Sequence, residues 1–409
     1  MATLETIVVV GGSLAGFRAA EALRQQGFEG TLHFVGAEVH EPYDRPPLSK
    51  EVLRGTWEPA KATLVRGDGF SKLEMQLHLG CRATALDADA RCVELEDGQR
   101  LSYDGLVIAT GATPRELPGT PKLAGIHTLR TLDDCLAIGR ELAASPRVAV
   151  VGAGFIGAEV AATCRQRGLE VTLIEPMPVP FGPTLGKDVG RVLCAEHADQ
   201  GVDLRIGVGV TGLEGGDRVE RVLLESGDVV DADLVVVGIG VFPETRWLES
   251  SGIELDNGVL CDATCATSLP GVVAAGDVAR WPNPLFNKPG GTPLATMRIE
   301  HWSNAAEQGR HAAQTLLAGD SGGEPFGPVP FVWSDQYDLK IQSAGVVGGA
   351  DETKLVSGSL AERKFVKLYG SKGRLVGALA INEPRKLIRY RRTLRREVSF
   401  EEAVAAAAE

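Results

Sequence analysis

The chain has 409 residues, of which 44% are hydrophobic and 23% are charged, a composition typical of globular and not of disordered proteins. Its 42 Lys and Arg against 54 Asp and Glu give a formal net charge of −12, which argues against general nucleic-acid binding. The start has no basic signal-peptide region, and no segment approaches the roughly 18 apolar residues of a membrane span. We therefore predict a cytoplasmic monomer or homodimer of two or three domains.

The first predicted element is a βαβ unit. In "TIVVVGGSLAGFRAAEALRQQGFEGTLHFVGAE", from Thr6, a β-branched strand leads into a glycine-rich turn, an amphipathic helix and a second strand. Gly11, Ser13 and Gly16 occupy the positions of a GxGxxG motif, with serine replacing the middle glycine. Such a turn binds a dinucleotide pyrophosphate at the helix N-terminus, and Glu38 after the second strand is predicted to bind the ribose.

Two short segments follow. "EPYDRPPLSK" (41–50) is rich in proline, which fixes φ, so we expect an extended path that leads into a helix beginning near Leu48. "LVIATGATPR" (106–115) is a buried strand that ends in a turn with exposed amides at Ala109, Thr110 and Gly111. We predict that this turn returns to the first nucleotide site.

The βαβ pattern recurs 141 residues after the first, in "RVAVVGAGFIGAEVAATCRQRGLEVTLIEP" from Arg147. Here the GxGxxG motif is complete, and it follows a strand and opens a helix. The predicted dinucleotide contacts are Gly152, Gly154, Phe155, Ile156 and Gly157. One chain therefore carries two dinucleotide-binding units.

An acidic residue selects the second dinucleotide. Glu175 ends the strand 18 residues after Gly157, where its carboxylate accepts hydrogen bonds from a ribose and repels a 2'-phosphate, so we predict NADH and not NADPH. The nearby cations Arg165, Arg167 and Lys187 leave that preference open.

Two later strands also end in glycine turns. "VVVGIGVFPET" (235–245) brings Ile239 and Gly240 to the second nucleotide site. "TSLPGVVAAGDVAR" (267–280) ends at Gly276 and Asp277, a carboxylate that can accept from sugar or polyol hydroxyls of the first nucleotide. The first nucleotide domain is thus interrupted by the second and resumes after it, which is an α/β fold.

The seven cysteines include no CxxC pair and are predicted to be buried free thiols. Cys261 and Cys265, the closest pair, are interpreted as two small residues of a strand and its following loop, because no other Cys or His cluster joins them. No metal site is predicted.

Together with "EHWSNAAEQG" (300–309) and "VWSDQYDLKIQ" (332–342), these motifs resemble, over almost the whole chain, the NADH-dependent ferredoxin reductases of cytochrome P450 and Rieske oxygenase systems. The putidaredoxin reductase and biphenyl dioxygenase reductase types are examples, and "PYDRPPLSK" with "WSDQY" is the most specific part of the resemblance. The resemblance implies two Rossmann-like dinucleotide-binding domains of the glutathione-reductase type and an α+β C-terminal domain that covers the flavin. The implied domains are 1–114 with 245–322 for FAD, 115–244 for NADH, and 323–409.

The resemblance also implies flavin contacts. The residues at matching positions are Ala15, Glu38, Lys50, Ala83, Arg130, Asp277 and Trp302, with Arg45 as a further contact. Trp302 and Trp333 are candidates for the flavin or nicotinamide faces, and either could equally be a core residue.

Lys50 and Glu159 are the implied catalytic residues, with Lys50 paired to Glu159 of the second glycine motif. Thiol-dependent relatives carry a redox cysteine in this region, whereas this chain has none between Gly16 and Lys50. Our hypothesis is that the Lys50 ammonium stabilises negative charge on the reduced flavin. The alternative is an interdomain salt bridge without a catalytic role.

The implied electron acceptor is a 2Fe-2S ferredoxin, because a flavin converts the two-electron donor NADH into a one-electron donor. The segment "RKLIRYRRTLRR" (385–396), with seven basic residues, is either its docking surface or a solvated helix face. Rubredoxin reductase remains an alternative, since its flavin chemistry is the same. A thiol-based NADH oxidase, peroxidase or disulfide reductase and a protein like apoptosis-inducing factor are opposed by the missing cysteine, the short N-terminus and the acidic charge.

Overall fold

A computed structural model of the chain describes residues 4–65, 67–286, 296–319 and 322–407, and in it the chain divides into two units. The first unit contains Met1–Asp44, Thr63–Thr113 and Phe242–Pro330. The second contains Arg45–Ala62, Pro114–Val241 and Phe331–Glu409. The proline-rich segment is therefore divided between the two units: its residues up to Asp44 belong to the first unit, and those from Arg45 onward belong to the second.

The helices and strands are numbered in chain order. The α-helices are α1 (Leu14–Gln25), α2 (Glu51–Arg54), α3 (Leu132–Leu142), α4 (Phe155–Gln166), α5 (Gly182–Leu185), α6 (Lys187–Asp199), α7 (Trp302–Ala318), α8 (Pro384–Thr393) and α9 (Phe400–Ala405). The strands are β1 (Thr6–Val10), β2 (Thr31–Gly36), β3 (Gln76–Leu79), β4 (Ala83–Asp87), β5 (Cys92–Leu95), β6 (Arg100–Ser102), β7 (Gly105–Ile108), β8 (Ala112–Pro114), β9 (Ile126–Thr128), β10 (Val148–Val151), β11 (Val171–Glu175), β12 (Asp203–Ile206), β13 (Val210–Gly215), β14 (Val219–Leu224), β15 (Val229–Asp231), β16 (Leu234–Val237), β17 (Val241–Pro243), β18 (Val259–Leu260), β19 (Val272–Ala274), β20 (Ala279–Pro282), β21 (Thr296–Met297), β22 (Phe331–Gln336), β23 (Leu339–Gly345), β24 (Glu352–Ser359), β25 (Lys364–Ser371) and β26 (Arg374–Ile381).

A parallel five-stranded sheet organises the first unit, in the order β19-β7-β1-β2-β3. Its central strands are buried on both faces, which explains why β1 and β7 read as continuous apolar runs in the sequence. Helices α1 and α7 pack together closely: a Cβ on Gly309 would lie 2.2 Å from the Ala15 carbonyl oxygen. The α/β prediction is confirmed.

The second unit contains a parallel sheet of the same design, in the order β12-β11-β10-β16-β9, and an antiparallel sheet in the order β22-β23-β26-β25-β24. Strands β10 and β16 are fully buried, and β25 and β26 are buried nearly throughout. One apolar cluster joins side chains of α6, such as Val189 and Leu193, to Ile341, Phe365 and Leu379 of the antiparallel sheet.

The internal repeat read from the sequence is present in the topology. Strand β1 lies between β2 and β7 as β10 lies between β11 and β16, and each unit adds a three-stranded antiparallel meander, β4-β5-β6 or β13-β14-β15. Arg24 and Arg165 lie at equivalent positions of the repeat and make equivalent hydrogen bonds. Each guanidinium donates to main-chain carbonyl oxygens just beyond its own helix: Arg24 to those of Phe28 and Gly30, and Arg165 to that of Leu169.

The expected extended path of the proline-rich segment is wrong. Pro46–Ser49 forms a 3-10 turn, and α2 begins at Glu51, not near Leu48. The physical reason is that proline's fixed φ suits the first positions of a helix, where its missing N–H costs nothing.

Candidate functional site

The glycine turn of the first unit leaves the start of α1 open. Gly11 has a φ of +130°, and a Cβ there would lie 2.0 Å from the Ala109 carbonyl oxygen, so only glycine fits. Ser13 is the N-cap of α1, with extended backbone and without a side-chain hydrogen bond to the first helical turn. The amides of Ala15 and Gly16 lie in that turn, as a site for a pyrophosphate requires.

A second glycine turn of the first unit converges on α1. Gly276, at φ +79°, precedes Asp277, and a Cβ on it would lie 2.9 Å from the Ala15 Cβ. Its N–H donates to Gln308 Oε1 at 2.9 Å, and the Gln308 side chain is fully buried on α7. The structure thus places the Gly276 turn against Ala15 at the start of α1, and Gln308 fixes that turn.

Trp302 begins α7 and is tied to the proline-rich segment. Its Nε1–H donates to Asp44 Oδ1 at 2.6 Å. Burial raises the pKa of Asp44, against the lowering effects of this hydrogen bond and of the Arg18 charge. Beside it, the buried His301 Nδ1 has no hydrogen-bond partner among the described residues, and burial lowers its pKa to about 4. A buried ring nitrogen left in this way fits a site completed by a bound group.

The remaining first-unit candidates lie next to strands β2, β4 and β7. Glu38 follows β2 and accepts a hydrogen bond from the Tyr43 hydroxyl. Ala83 begins β4 and is buried. Thr110 and Gly111 form the turn after β7, where Thr110 Oγ1 donates to the Glu244 carbonyl oxygen at 2.7 Å and the Gly111 carbonyl oxygen accepts from the Glu244 N–H at 3.0 Å.

The glycine turn of the second unit is as tightly packed at Gly152 and Gly157 as the first turn is at Gly11 and Gly16, but it is open at Gly154. A Cβ on Gly157 would lie 1.9 Å from the Gly152 carbonyl oxygen, which forces glycine there. Gly154 caps α4 with extended backbone, and a Cβ on it would meet no described atom within 4 Å. In the first turn of α4, the Phe155 ring lies 4.9 Å from that of Phe181, and Ile156 is 46% exposed.

Glu175 closes the same turn from the end of β11. It is buried, and its carboxylate accepts from the N–H of Ala153 at 2.8 Å and of Met177 at 2.9 Å. After β16, Ile239 and Gly240 follow, with Gly240 at φ +102° and its carbonyl oxygen accepting from the Arg115 N–H. Two of the three nearby cations are engaged elsewhere: Arg165 with Leu169 and Arg167 with Leu53, both through main-chain carbonyls.

A buried ion pair joins the proline-rich segment to α4 within the second unit. Lys50 Nζ lies 2.9 Å from Glu159 Oε2, and the two residues are 5% and 3% exposed. The same oxygen accepts from Ser49 Oγ at 2.5 Å. The segment is fixed further by Thr163 Oγ1, which donates to the Ser49 carbonyl at 2.7 Å. The pairing of Lys50 with Glu159 that the sequence suggested is therefore formed.

The other second-unit candidates form two groups. Arg45 Nη1 donates to the Arg130 carbonyl oxygen at 2.6 Å, so these two predicted contacts are neighbours. Trp333 lies on β22 with its ring 6.1 Å from that of Phe331, and the Arg391 guanidinium lies 4.8 Å over the other aromatic ring of this pair, Phe331. Trp333 thus belongs to a cation–aromatic stack that begins in the basic segment.

The basic segment 385–396 spans α8 and the turn after it. Of its seven cations, all are exposed except Arg391. Arg389 donates to the Ala406 carbonyl, and Lys386 is paired with Glu383. The sequence predicted the cluster but not which cations are structurally engaged.

All seven cysteines are free thiols. Cys261 and Cys265 are both buried, and burial raises the pKa of Cys265 to about 12, so its thiol stays protonated and unreactive.

Several polar residues of the site escaped the sequence analysis. They are Asp44, Ser49, His197, Gln308, Ser334 and Gln336. Ser334 and Gln336 left no readable signal, because Asp335 between them is also polar, and only the structure shows that the strand face they share is buried. His197 on α6 left none either.

Family models, known proteins and solved structures match this chain over most of its length. The family model described as Pyridine nucleotide-disulphide oxidoreductase matches residues 5–309, and Reductase C-terminal matches residues 331–409. The chain is 37% identical to rhodocoxin reductase of Rhodococcus erythropolis, over 96% of this chain and 90% of that protein. It is 37% identical to the anthranilate 1,2-dioxygenase system ferredoxin–NAD(+) reductase component of Burkholderia cepacia, over 95% and 94%. The reductase in a covalent putidaredoxin reductase–putidaredoxin complex superimposes with a TM-score of 0.89 at 34% identity, over 95% of this chain and 93% of that one.

Proposed function

The chain belongs to the pyridine nucleotide-disulphide oxidoreductase family, and from that membership we propose that it is an FAD-dependent NADH:ferredoxin reductase. It supplies electrons to a 2Fe-2S ferredoxin that serves a cytochrome P450 or a Rieske oxygenase. The observation that carries the proposal is the buried Lys50–Glu159 pair, which fixes an ammonium at the end of the proline-rich segment. Bound FAD accepts two electrons from NADH as hydride and releases them singly.

The first unit has the groups to hold FAD. The open turn at the start of α1 takes the pyrophosphate, the Glu38 carboxylate the ribose, and the Asp277 carboxylate a hydroxyl. The unpartnered His301 nitrogen supports a bound group on this side. The proposed FAD residues of this unit are Gly11, Ser13, Ala15, Gly16, Glu38, Ala83, Ala109, Thr110, Gly111, Gly276, Asp277 and Trp302. Arg45, Lys50 and Arg130, which belong to the second unit, are also proposed to contact FAD, and Trp333 to contact either the flavin or the nicotinamide.

The second unit has the groups to hold NADH. The uncapped first turn of α4 takes the pyrophosphate, and the exposed Ile156 covers the ligand. Glu159, in the same turn, holds Lys50, so that helix both binds NADH and orients the ammonium. The proposed NADH residues are Gly152, Gly154, Phe155, Ile156, Gly157, Glu159, Glu175, Ile239 and Gly240.

Gly154→Ala measures how closely NADH approaches the backbone. Because the new Cβ meets no described atom, the folded protein keeps its Tm, while a pyrophosphate against the turn loses contact, and the KM for NADH rises about tenfold or more. Gly139→Ala, in open space on α3, is the matched control and leaves KM unchanged. An unchanged KM in Gly154→Ala would remove this turn from the NADH site.

Wild-type protein is expected to prefer NADH over NADPH by about 100-fold or more in kcat/KM. The buried Glu175 carboxylate repels a 2'-phosphate, and Arg165 and Arg167 are engaged with main-chain carbonyls. Steady-state assays with both nucleotides measure the ratio. Equal values would show that other cations, such as Lys187, neutralise the phosphate.

The ferredoxin docks on the basic segment 385–396 in this proposal. Its exposed cations suit an acidic partner, and the Arg391–Phe331–Trp333 stack links the segment to β22.

The domain division 1–114 with 245–322, 115–244 and 323–409 also belongs to the proposal, supported by the repeated sheet topology and by the start of the C-terminal family match at residue 331.

A cytoplasmic location completes the proposal, supported by seven free thiols, which persist in a reducing compartment. Within the described residues, no helix is both long and apolar enough to cross a bilayer. Cell fractionation tests the location.

Anaerobic titration of the purified protein with NADH tests the cofactor assignments. We expect the flavin absorbance to be lost at one NADH per flavin, and an unaltered spectrum would contradict the assignments.

A further inference from the structure

A line of buried side chains continues from the carboxylate of Glu159 through the second unit. Glu159 Oε1 accepts from Ser334 Oγ at 2.7 Å, and Gln336 Nε2 lies 3.3 Å from the same Ser334 oxygen. Gln336 Oε1 is 3.2 Å from His197 Nε2, and His197 Nδ1 is 3.0 Å from the Tyr337 hydroxyl. Four of these five side chains belong to residues at most 3% exposed, and Tyr337 is half-buried.

The chemistry of the groups gives this chain of hydrogen bonds one direction. A carboxylate only accepts, so Ser334 donates to Glu159 and must itself accept from the Gln336 amide. The Gln336 carbonyl then accepts from His197 Nε2–H, which leaves Nδ1 to accept from the Tyr337 hydroxyl. Burial lowers the pKa of His197 to about 4, so at neutral pH the ring is neutral, as this assignment requires.

Polar side chains at these buried positions are unfavourable unless each is satisfied, and here each is. Strand β22 provides Ser334 and Gln336 from one face, and α6 provides His197. Glu159 is thereby held at both oxygens: Oε1 by Ser334, and Oε2 by Ser49 and Lys50. With both oxygens held, the carboxylate presents Oε2 to the Lys50 ammonium in one orientation.

We propose that Ser334, Gln336 and His197 are positioning residues that orient Glu159 and, through it, the Lys50 ammonium. The inference rests on the proposed function of Lys50 in flavin reduction. None of the three residues touches a reacting atom in this account. Each fixes the next donor or acceptor along the chain.

The test compares variants in stopped-flow reduction of the flavin by NADH. Ser334→Ala removes the donor to Glu159 and is expected to lower the limiting reduction rate about tenfold, while the Kd for NADH changes less than about twofold. Ser334→Thr keeps the hydroxyl and restores the rate to within about threefold of wild type. Ser343→Ala, a buried serine on the neighbouring strand β23, is the matched control and leaves the rate unchanged. Equal rates in Ser334→Ala and Ser343→Ala would overturn the inference.

A second readout does not depend on activity. In protein labelled with 15N-histidine, the His197 ring is expected to show a protonated Nε2 and an unprotonated Nδ1 at pH 7, and Gln336→Met, which removes the acceptor, to give a mixture of tautomers. A protonated Nδ1 in wild type would overturn the assigned direction of the chain. A wild-type flavin that NADH does not reduce would instead contradict the proposed function, so the two failures are distinguishable.

Discussion

Lys50→Met is expected to lower the rate of flavin reduction by NADH by about 10²–10³-fold while FAD stays bound. The ammonium is buried and held at 2.9 Å by Glu159, so it is a preorganised charge in a site of low dielectric. Removing one such donor from a catalytic site typically costs about 2.7–4 kcal/mol of transition-state stabilisation, which is the stated factor in rate. Stopped-flow spectroscopy, normalised to bound flavin, measures the rate of flavin reduction.

Two further variants separate catalysis from stability in this experiment. Lys50→Met leaves Glu159 as a buried charge without its cation, which is destabilising by itself. Combining it with Glu159→Gln removes that charge, so the double variant should regain Tm but stay slow. Lys367→Met is the matched control, because Lys367 is also buried and paired, with Asp188 at 2.6 Å. It should lose stability and keep its reduction rate.

A rate within a few-fold of wild type in flavin-loaded Lys50→Met would leave the pair with a structural role only. That outcome would favour the salt-bridge interpretation of Lys50 and Glu159. It would leave the fold and both dinucleotide sites untouched.

Neutralising four exposed cations of the basic segment is expected to raise the apparent KM for ferredoxin about 10–100-fold at low ionic strength. Arg385, Arg392, Arg395 and Arg396 are chosen because all are exposed, whereas Arg389 and Arg391 hold the Ala406 carbonyl and the Phe331 ring. Steering by local charge acts on the association rate and is screened by salt, so the KM should also become nearly independent of salt. Ferredoxin-dependent cytochrome c reduction over a salt series measures both.

The control removes the same charge elsewhere. The variant that neutralises Lys72, Arg100, Arg205 and Arg221 changes four cations whose side chains are 41–69% exposed. It should alter the KM by less than about threefold. If the two quadruple variants behave alike, overall charge and not the segment governs association.

The fold was readable from the sequence because its signals are local and repeated. Each GxGxxG-like turn follows a buried β-branched strand and opens a helix, and the two copies of this pattern predicted two dinucleotide-binding units, which the structure builds around two parallel sheets of the same design. The proline-rich segment was misjudged because proline favours both extended chain and the first turn of a helix. What decides between them is tertiary: Thr163 and Cys135 bond to the carbonyls of Ser49 and Leu48.

The site was only partly readable. Lys50 and Glu159 were found through their motifs, but the side chains that hold Glu159 come from two distant parts of the chain. Ser49 precedes it by 110 residues and Ser334 follows it by 175, and no local pattern encodes such a meeting. Which cations of the basic segment are free to meet a partner likewise depends on contacts with Phe331 and Ala406.

The central claim is that electrons pass from NADH through FAD to a 2Fe-2S ferredoxin. The most direct measurement is NADH-dependent cytochrome c reduction by the purified protein, with and without an added 2Fe-2S ferredoxin and, in parallel, with rubredoxin or oxygen as acceptor. We predict a rate that depends strongly on ferredoxin. A protein whose flavin is reduced by NADH, but whose turnover is raised by rubredoxin or oxygen and not by ferredoxin, would contradict the claim while leaving the cofactor assignments in place.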